Sequence, residues 1–254
     1  MKNLEKFLKN KKIEYFDSVS STNTLLKERA QKGEPENTII VTEHQTQGRG
    51  RLGRTFFSPK GCGIYLSYLI KPEIAADDAS FITVAAAIAM VRALRDVLNI
   101  ETQIKWVNDI YSGDKKLCGI LTESAFFPDG KLNYAVLGIG INIKTPPDGY
   151  PEEFAYKTTN LENITMKIQN NQKCELMAAF INNFDILFCD KERKYIKEYK
   201  EASCLLGREI EILSGQHKGD AIAVDIDENA NLVVKKNDGT QVSLSCGDVS
   251  IRFN

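Results

Sequence analysis

Gly48-Arg49-Gly50-Arg51-Leu52-Gly53-Arg54 places three glycines and three arginines within seven consecutive residues. Glycine lets the backbone adopt positive φ angles and come close to a ligand. Arginine carries a permanent charge on a planar fork of donors that suits phosphate and carboxylate groups. The stretch therefore predicts a cationic loop that wraps an anionic small molecule. Two alternatives are a solvated basic loop that binds nothing and an RNA-binding Arg-Gly segment.

The spacing of Gly48, Gly50 and Gly53 also fits the G-x-G-x-x-G pattern of dinucleotide-binding folds. That pattern must follow a strand and open a helix. Here the residues at 55–59 are Thr-Phe-Phe-Ser-Pro, which predict extended chain. A P-loop sequence, G-x-x-x-x-G-K-[ST], does not occur. We therefore reject both nucleotide-binding motifs for this loop.

The loop lies between two predicted strands, at 38–42 and 63–71, which are rich in apolar and β-branched residues. A capped helix is predicted before them, starting near Ser21 and closing at Gly33. Residues 1–17 predict a lysine-rich lead that includes at most one short helix. After the loop, a helix that is apolar nearly all round is predicted at 80–98. Further strands are predicted at 103–106, 116–123 and 134–143.

The remainder of the chain divides into three parts. Residues 145–172 contain three of the seven prolines and predict a long surface connection with one helical turn. Residues 175–202 predict an amphipathic helix or a pair of helices. From residue 206 onward, apolar and polar residues alternate, and Asp238-Gly239 is a hairpin signal. We expect an α+β fold with a mixed sheet over residues 1–204 and a small β-barrel over residues 205–254.

Composition excludes several classes of protein. A net charge of −1 and a pI near 6.2 argue against a dedicated nucleic-acid binder. The six cysteines include no C-x-x-C pair, and no signal peptide is evident, so we expect reduced thiols in the cytoplasm. The two histidines, His44 and His217, support neither a zinc site nor a catalytic triad. The longest apolar stretch, at 79–91, is too short to span a bilayer, so no membrane partner is expected.

Four further stretches carry groups suited to a ligand, although each has an ordinary structural interpretation. Ser21-Thr22-Asn23 offers hydroxyls and an amide at a helix start, where plain N-capping is the alternative. Gly138-Ile139-Gly140-Ile141-Asn142 places two glycines on one face of an apolar strand, which suits close approach of a ligand or a backbone. The other two stretches are Lys105-Trp106-Val107-Asn108-Asp109, at a strand end, and Lys115-Lys116-Leu117-Cys118-Gly119, at a turn.

In this order and at these separations, the five stretches resemble the biotin protein ligase family, which attaches biotin to carboxyl-carrier proteins. The family pattern of S-T-N, Q-x-x-G-R-G-R-x-G-R, K-W-P-N-D, K-L-x-G-I-L and G-x-G-I-N is met almost throughout, from Ser18 to the end of the chain. Phe56 stands where the family usually has Trp, and Val107 where it has Pro. The resemblance implies a class II synthetase-like catalytic domain followed by an SH3-like β-barrel.

The resemblance also implies an activity and a set of site residues. The activity is the activation of biotin by ATP to biotinyl-5′-AMP, with Mg²⁺ on the phosphates and no direct protein ligand to the metal. Biotin is then transferred to a lysine of a biotin carboxyl carrier protein. Lys116 and Arg51 would be catalytic. Biotin would contact Ser21, Thr22, Asn23, Gln45, Gly48, Arg49, Gly50, Arg51, Lys116 and Gly119. ATP and the adenylate would contact Arg51, Arg54, Phe56, Lys105, Asn108, Asp109, Lys116, Asn142 and Arg252.

Three alternatives remain beside this interpretation. A lipoate or octanoate ligase or transferase of related fold would leave the polar Ser21-Thr22-Asn23 set without a function. A non-catalytic biotin sensor would not need Lys116 beside Arg51. A DNA-binding regulator is disfavoured, because the seventeen residues before Ser18 cannot hold a helix-turn-helix domain. A homodimer is compatible with the sequence.

Overall fold

The computed structural model describes residues 3–251, which form two β-sheets with helices packed on the larger one. The larger sheet has seven strands in the order β1-β2-β3-β7-β6-β5-β4. These strands are β1 (Lys12–Phe16), β2 (Thr38–Thr42), β3 (Gly63–Ile70), β4 (Gln103–Lys105), β5 (Asp109–Ser112), β6 (Lys115–Phe126) and β7 (Leu132–Asn142). Strand β1 runs parallel to β2, and the other neighbouring pairs are antiparallel. The sheet is therefore mixed, as the sequence predicts.

Helices cover both faces of this sheet. One face carries α2 and α5, which pack against each other, and the opposite face carries α1. Alanine-rich α2 is buried on most of its surface, which confirms the prediction of a central helix. The helices are α1 (Thr22–Gln31), α2 (Ser80–Leu98), α3 (Glu152–Ala155), α4 (Leu161–Ile164), α5 (Asn170–Phe188) and α6 (Tyr195–Glu201), with 3-10 turns at Leu4–Lys6, Arg51–Gly53 and Ala76–Ala79.

The central strand β7 shows how the sequence assigns its two faces. Successive side chains of a strand point to opposite faces, and β7 alternates accordingly. Leu137, Ile139 and Ile141 join the large core under α2 and α5. Val136 joins the small cluster under α1, and Gly138 follows it on the same face. Gly138 and Gly140 therefore leave room on the α1 face of the strand for side chains from other segments.

The smaller sheet has five antiparallel strands in the order β11-β10-β9-β8-β12. They are β8 (Glu209–Ile212), β9 (Gly219–Ile226), β10 (Leu232–Lys236), β11 (Gln241–Leu244) and β12 (Val249–Ile251). Gly239 has φ 87°, as the predicted hairpin requires. The indole of Trp106 donates a hydrogen bond to the Ala230 carbonyl (3.0 Å), and Lys200 forms an ion pair with Asp225. These contacts join the smaller sheet to the larger unit.

Three sequence predictions were wrong in part. The lead at 1–17 contains strand β1 as well as a short 3-10 turn. Strand β5 was missed, because only Ile110 of its four residues is buried. The 145–172 connection contains α3 and α4 and buries Asn160, Leu161 and Ile168, so it is more than a surface loop.

The 175–202 region is a helix pair, α5 and α6. Within residues 3–251, every helix is too short or too polar to cross a membrane.

Candidate functional site

A cavity of about 720 Å³ opens on the α1 face of the large sheet, beside the Gly-Arg loop. It brings together residues from all five stretches that the sequence singles out. The predicted site residues that line it are Ser21, Thr22, Asn23, Gln45, Arg49, Gly50, Arg51, Arg54, Phe56, Lys105, Asn108, Asp109, Lys116 and Gly119. Gly48 and Asn142 do not line it, and Arg252 lies outside the described residues.

The start of α1 forms one end of the cavity. Ser21 is the N-cap, and its hydroxyl accepts from the Thr24 backbone N–H (3.4 Å), so the ordinary capping role is present. The Gln45 Oε1 atom accepts from the backbone N–H of Thr22 (2.9 Å) and from its hydroxyl (3.2 Å). The Gln45 Nε2 group donates to the Ser58 hydroxyl (3.1 Å). A chain of hydrogen bonds therefore links the helix start to the segment that follows the loop.

Asn23 lies at the centre of this polar end and is almost completely buried. Its Nδ2 group donates to the Leu121 carbonyl (3.1 Å) and to the Glu123 carboxylate (3.1 Å). Its Oδ1 atom accepts from the Ser67 hydroxyl (2.6 Å). Beneath it lies Gly138, where any Cβ atom would overlap the Asn23 amide. The glycine therefore makes the room that the asparagine occupies.

The floor of the cavity continues along the same sheet face to Gly140 and Gly119. The ring of Phe56 lies on both glycines: a Cβ atom at Gly140 would be 2.6 Å from the ring, and one at Gly119 would be 2.9 Å from it. The Phe56 and Tyr65 rings are nearly perpendicular, at 74°, with their centroids 6.2 Å apart. Phe56 thus forms an apolar patch between the amide end and the cationic end of the cavity.

The Gly-Arg loop folds back on itself at the cavity mouth. The backbone N–H of Gly50 donates to the Arg54 carbonyl (2.8 Å), and that of Phe56 donates to the Gly48 carbonyl (2.9 Å). Leu52 and Gly53 both have positive φ, 55° and 76°. Gly48 is packed against the Phe56 carbonyl and the Ser58 hydroxyl, which leaves no room for a side chain. Two of the three glycines therefore have a definite steric or conformational role.

The three arginines of the loop contact two parts of the protein: Arg51 and Arg54 contact residues 247–248, and Arg49 contacts β6. Arg51 donates to the Asn108 side chain (3.1 Å) and to the Gly247 carbonyl (3.0 Å). Arg54 forms an ion pair with Asp248 in the smaller sheet domain. Arg49 reaches Glu123 on β6 (3.3 Å). The smaller domain therefore closes one side of the cavity.

Two lysines complete the cationic end. The Lys116 ammonium lies 2.7 Å from the Asp109 carboxylate and 5.6 Å from the Phe56 ring centroid. Burial lowers the pKa of Lys105, an effect that nearby Asp109 and Asp248 oppose. Lys105 also lies over the Tyr111 ring, 5.8 Å from its centroid. A site with this many cations suits a ligand that carries several negative charges.

The 145–172 connection forms the remaining wall. The backbone N–H of Lys116 donates to the Lys157 carbonyl (2.8 Å), and that of Thr159 donates to the Lys116 carbonyl (2.9 Å). The Asn142 amide donates to the Thr159 carbonyl (3.1 Å), so in this structure it supports the connection instead of facing the cavity. Phe154 and the highly exposed Tyr156 line the mouth.

Sequence analysis did not identify several residues of the cavity or its support. Ser67 is the one serine in the otherwise apolar and aromatic strand β3, which is the only signal that marks it. Glu123 and Asp248 pair with loop arginines that are distant in sequence, and no local pattern marks either residue. The Trp106–Val107 peptide bond is cis, and the Tyr199 hydroxyl donates to the Val107 carbonyl (2.9 Å).

Comparison with known families matches both parts of the chain. Residues 15–142 match the model described as Biotin/lipoate A/B protein ligase family. Residues 205–252 match the model described as Biotin protein ligase C terminal domain. The first match contains the cavity residues of α1, the loop, and strands β4 to β7, and the second contains Asp248.

Relatives and solved structures agree with these matches. The bifunctional ligase/repressor BirA of Bacillus subtilis is 37% identical over 147 residues, which are 58% of this chain and 45% of that protein. The chain thus spans less than half the length of this relative. The biotin–[acetyl-CoA-carboxylase] ligase of Mycobacterium tuberculosis is 26% identical over 246 residues, 94% of this chain and 88% of the relative. The biotin protein ligase of Aquifex aeolicus, solved with biotin and ATP, superimposes with a TM-score of 0.76 at 26% identity, covering 96% of this chain and all of that one.

Proposed function

The chain belongs to the biotin/lipoate A/B protein ligase family, and from this membership and the cavity we propose that it is a biotin protein ligase. It would activate biotin with ATP to biotinyl-5′-AMP and pyrophosphate, and then transfer biotin to a lysine of a biotin carboxyl carrier protein. We assign catalysis mainly to residues 1–204 and the closing wall of the site to residues 205–254. We place the reaction in the cytoplasm, in keeping with six cysteines that form no disulfide bond with one another in the structure.

One observation carries the proposal: a single cavity joins an uncharged polar end to a cationic end across an apolar patch. Biotin and ATP together present polar, apolar and anionic groups in the same order. The ureido ring of biotin needs both donors and acceptors, its alkyl chain needs an apolar surface, and its carboxylate must meet a phosphate. A plain acyl chain would leave the hydroxyl and amide groups of Thr22, Asn23 and Gln45 without a partner from the ligand.

At the polar end, the ureido ring would contact Thr22, Asn23 and Gln45, with the backbone of Arg49 and Gly50 above it. The hydrogen bonds between these residues hold them in place before the ligand arrives. Such preorganisation lowers the entropy that binding has to overcome. Phe56 replaces the tryptophan usual in the family and still offers an aromatic face, so we expect altered affinity with activity retained.

At the cationic end, the reaction brings two anions together, because the biotin carboxylate attacks an α-phosphate that is itself negative. Lys116 would lie between them, with Arg51, Arg54 and Lys105 on the phosphates. These cations would stabilise the charge that grows on the phosphoryl oxygens in the transition state. The remaining part of the rate enhancement would come from holding the carboxylate in line with the phosphorus, and no side chain of the protein needs to act as a nucleophile.

Two of these cations form ion pairs within the protein before the substrates bind. Lys116 pairs with Asp109, and Arg54 pairs with Asp248. Substrate anions would replace these carboxylates. Among the described residues, no cluster of three or more His, Cys, Asp or Glu side chains is placed to hold a metal ion. In this proposal a Mg²⁺ ion would bind through ATP phosphate oxygens, where it would neutralise phosphate charge.

In the second half-reaction, the amine of the carrier lysine attacks the acyl carbon of the adenylate, and AMP leaves. Asp109 is our candidate for the carboxylate near that amine, because binding of the substrate anions at Lys116 would release it. The loop would exclude water from the adenylate between the two steps.

The test is pyrophosphate release from Mg-ATP with biotin, and separately with lipoate, followed by addition of an apo carrier domain. We expect pyrophosphate release with biotin but not with lipoate, and then a mass gain on one carrier lysine. Release with lipoate alone would move the activity to the lipoate branch of the family. Tight biotin binding without pyrophosphate release would identify a sensor.

A further inference from the structure

Glu123 on β6 is the meeting point of three elements that surround the polar end of the cavity. We propose that it is a positioning residue, which fixes the orientation of the Asn23 amide and anchors the Gly-Arg loop through Arg49. This proposal rests on the proposed function for its effect on biotin, whereas its effect on the loop applies to the protein without ligands.

The carboxylate has three partners and little contact with solvent. Its side chain is 14% exposed. One oxygen accepts from Asn23 Nδ2 (3.1 Å), and the other lies near the Lys27 ammonium (3.2 Å) and the Arg49 guanidinium (3.3 Å). Asn23 and Lys27 belong to α1, and Arg49 belongs to the loop. Glu123 thus ties the helix and the loop to the sheet.

The first role concerns the direction of an amide. An asparagine side chain can exchange its oxygen and nitrogen by rotation, and the two arrangements have nearly the same shape. The Ser67 hydroxyl can donate or accept, so it does not select one arrangement. The Leu121 carbonyl and the Glu123 carboxylate only accept, so the Nδ2 group must point toward them. The amide oxygen then remains on the side of Ser67, with a second lone pair for a ligand N–H.

The second role concerns the loop. Arg49 is about half exposed, and its ion pair with Glu123 connects the first half of the loop to the large sheet. Arg51 and Arg54 instead hold the second half to residues 247–248. An exposed ion pair contributes up to about 1 kcal/mol, which corresponds to roughly a fivefold change in the open population of the loop.

Two substitutions separate the roles. Glu123→Gln keeps an oxygen that accepts from Asn23 but removes the charge that attracts Arg49. Glu123→Ala removes both. Lys27→Met is the matched control, because it deletes the third partner of the carboxylate without touching the loop or the cavity.

In the protein without ligands, trypsin cleavage after Arg49 and Arg51 measures loop opening. We expect cleavage about two- to fivefold faster in both Glu123 variants, with the Lys27→Met variant unchanged. Equal cleavage in the wild type and both Glu123 variants would overturn the anchoring role. This measurement does not depend on what the protein binds.

Biotin binding measured by calorimetry tests the orientation of Asn23. In Glu123→Ala the Leu121 carbonyl still accepts from Asn23, so the amide loses one of the two acceptors that fix its direction, and a loss of this size corresponds to roughly a 10-fold fall in affinity. We therefore expect that loss in Glu123→Ala and a change below about threefold in Glu123→Gln. Equal affinity in the two variants would overturn the orienting role. If the wild type itself binds no biotin, the proposed function fails, and the trypsin result still decides the anchoring role.

Discussion

Gly138→Ala is the substitution whose effect the structure defines most sharply. The three atoms nearest to a Cβ at this position all belong to the Asn23 amide, and all are closer than van der Waals contact. The amide is held by Ser67, by Glu123 and by the Leu121 carbonyl, so a shift large enough to avoid the new Cβ would break or stretch at least one of these hydrogen bonds. An alanine would therefore displace Asn23 from its hydrogen bonds.

The size of the effect follows from the bonds at risk. A neutral hydrogen bond contributes about 1 kcal/mol net, and one to a charged group about 1.5–3 kcal/mol. Because the amide would keep part of its network after shifting, we expect Gly138→Ala to lower the free energy of unfolding by about 2–4 kcal/mol. For a chain of this size that corresponds to a fall in Tm of roughly 4–16 °C. The affinity for biotin should fall as well, since Asn23 lines the polar end.

A double-mutant cycle isolates the cause. Asn23→Ala removes the atoms that the new Cβ would meet, so Gly138→Ala should then cost less than about 0.5 kcal/mol more. Unfolding in urea of the wild type, both single variants and the double variant measures the coupling. Additive effects, or a single Gly138→Ala variant with wild-type stability and biotin affinity, would refute this account of the packing.

The remaining predictions concern the cations. Lys116→Ala should lower the rate of pyrophosphate release by about 10²-fold or more with biotin binding retained, and near-normal turnover would show that the central lysine is misassigned. Arg51→Gly removes the contacts to Asn108 and Gly247, so the adenylate should escape and label bystander proteins; labelling confined to the carrier would contradict loop closure. Lys105→Met should raise the Michaelis constant for ATP and, without ligands, raise the free energy of unfolding at pH 7 by about 1 kcal/mol. Because burial lowers the folded-state pKa of Lys105, the unfolded chain binds its proton more readily at neutral pH. This penalty fades as pH rises toward the unfolded pKa, so the advantage of the Met variant in urea unfolding should shrink there, and a constant advantage would contradict this explanation.

The elements that the sequence predicted well are those with a strong apolar pattern. The strand at 38–42 and the helix at 80–98 have the predicted bounds, because nearly every residue in them is buried and the pattern is unbroken. Strand β1 was missed because it lies at the sheet edge, where Lys12 is exposed and the other four residues are only half buried. The 145–172 connection was misjudged because its prolines suggested a loop, whereas its buried residues are spaced too irregularly to form a pattern.

The site divides in the same way. Glycines and cations of the loop were evident from composition, since few structural needs explain that combination. Ser67, Glu123 and Asp248 have roles only through partners distant in sequence: Ser67 is 44 residues from Asn23, and Arg51 reaches across 196 residues to Gly247. A sequence pattern reports local geometry, so a residue whose role is to meet another segment leaves no local signal.

In the structure three of the cavity cations, Lys116, Arg49 and Arg54, face protein carboxylates, and this pairing affects the energetics of the proposed reaction. A half-buried cation without a partner destabilises the fold, so Asp109 and Glu123 stabilise the free protein by pairing with Lys116 and Arg49. The Arg54 side chain is mostly exposed, so its pair with Asp248 contributes less. When a substrate anion binds, it replaces a carboxylate beside the cation. Only the difference in free energy between the two ion pairs then contributes to affinity. The same carboxylates can pair again with the cations as pyrophosphate leaves, which opposes its return. Charge alone therefore discriminates weakly between anions in this site, and the polar end selects the substrate. There Asn23 and Gln45 can form hydrogen bonds with a ureido ring, whereas a simple acyl chain has no group to bond.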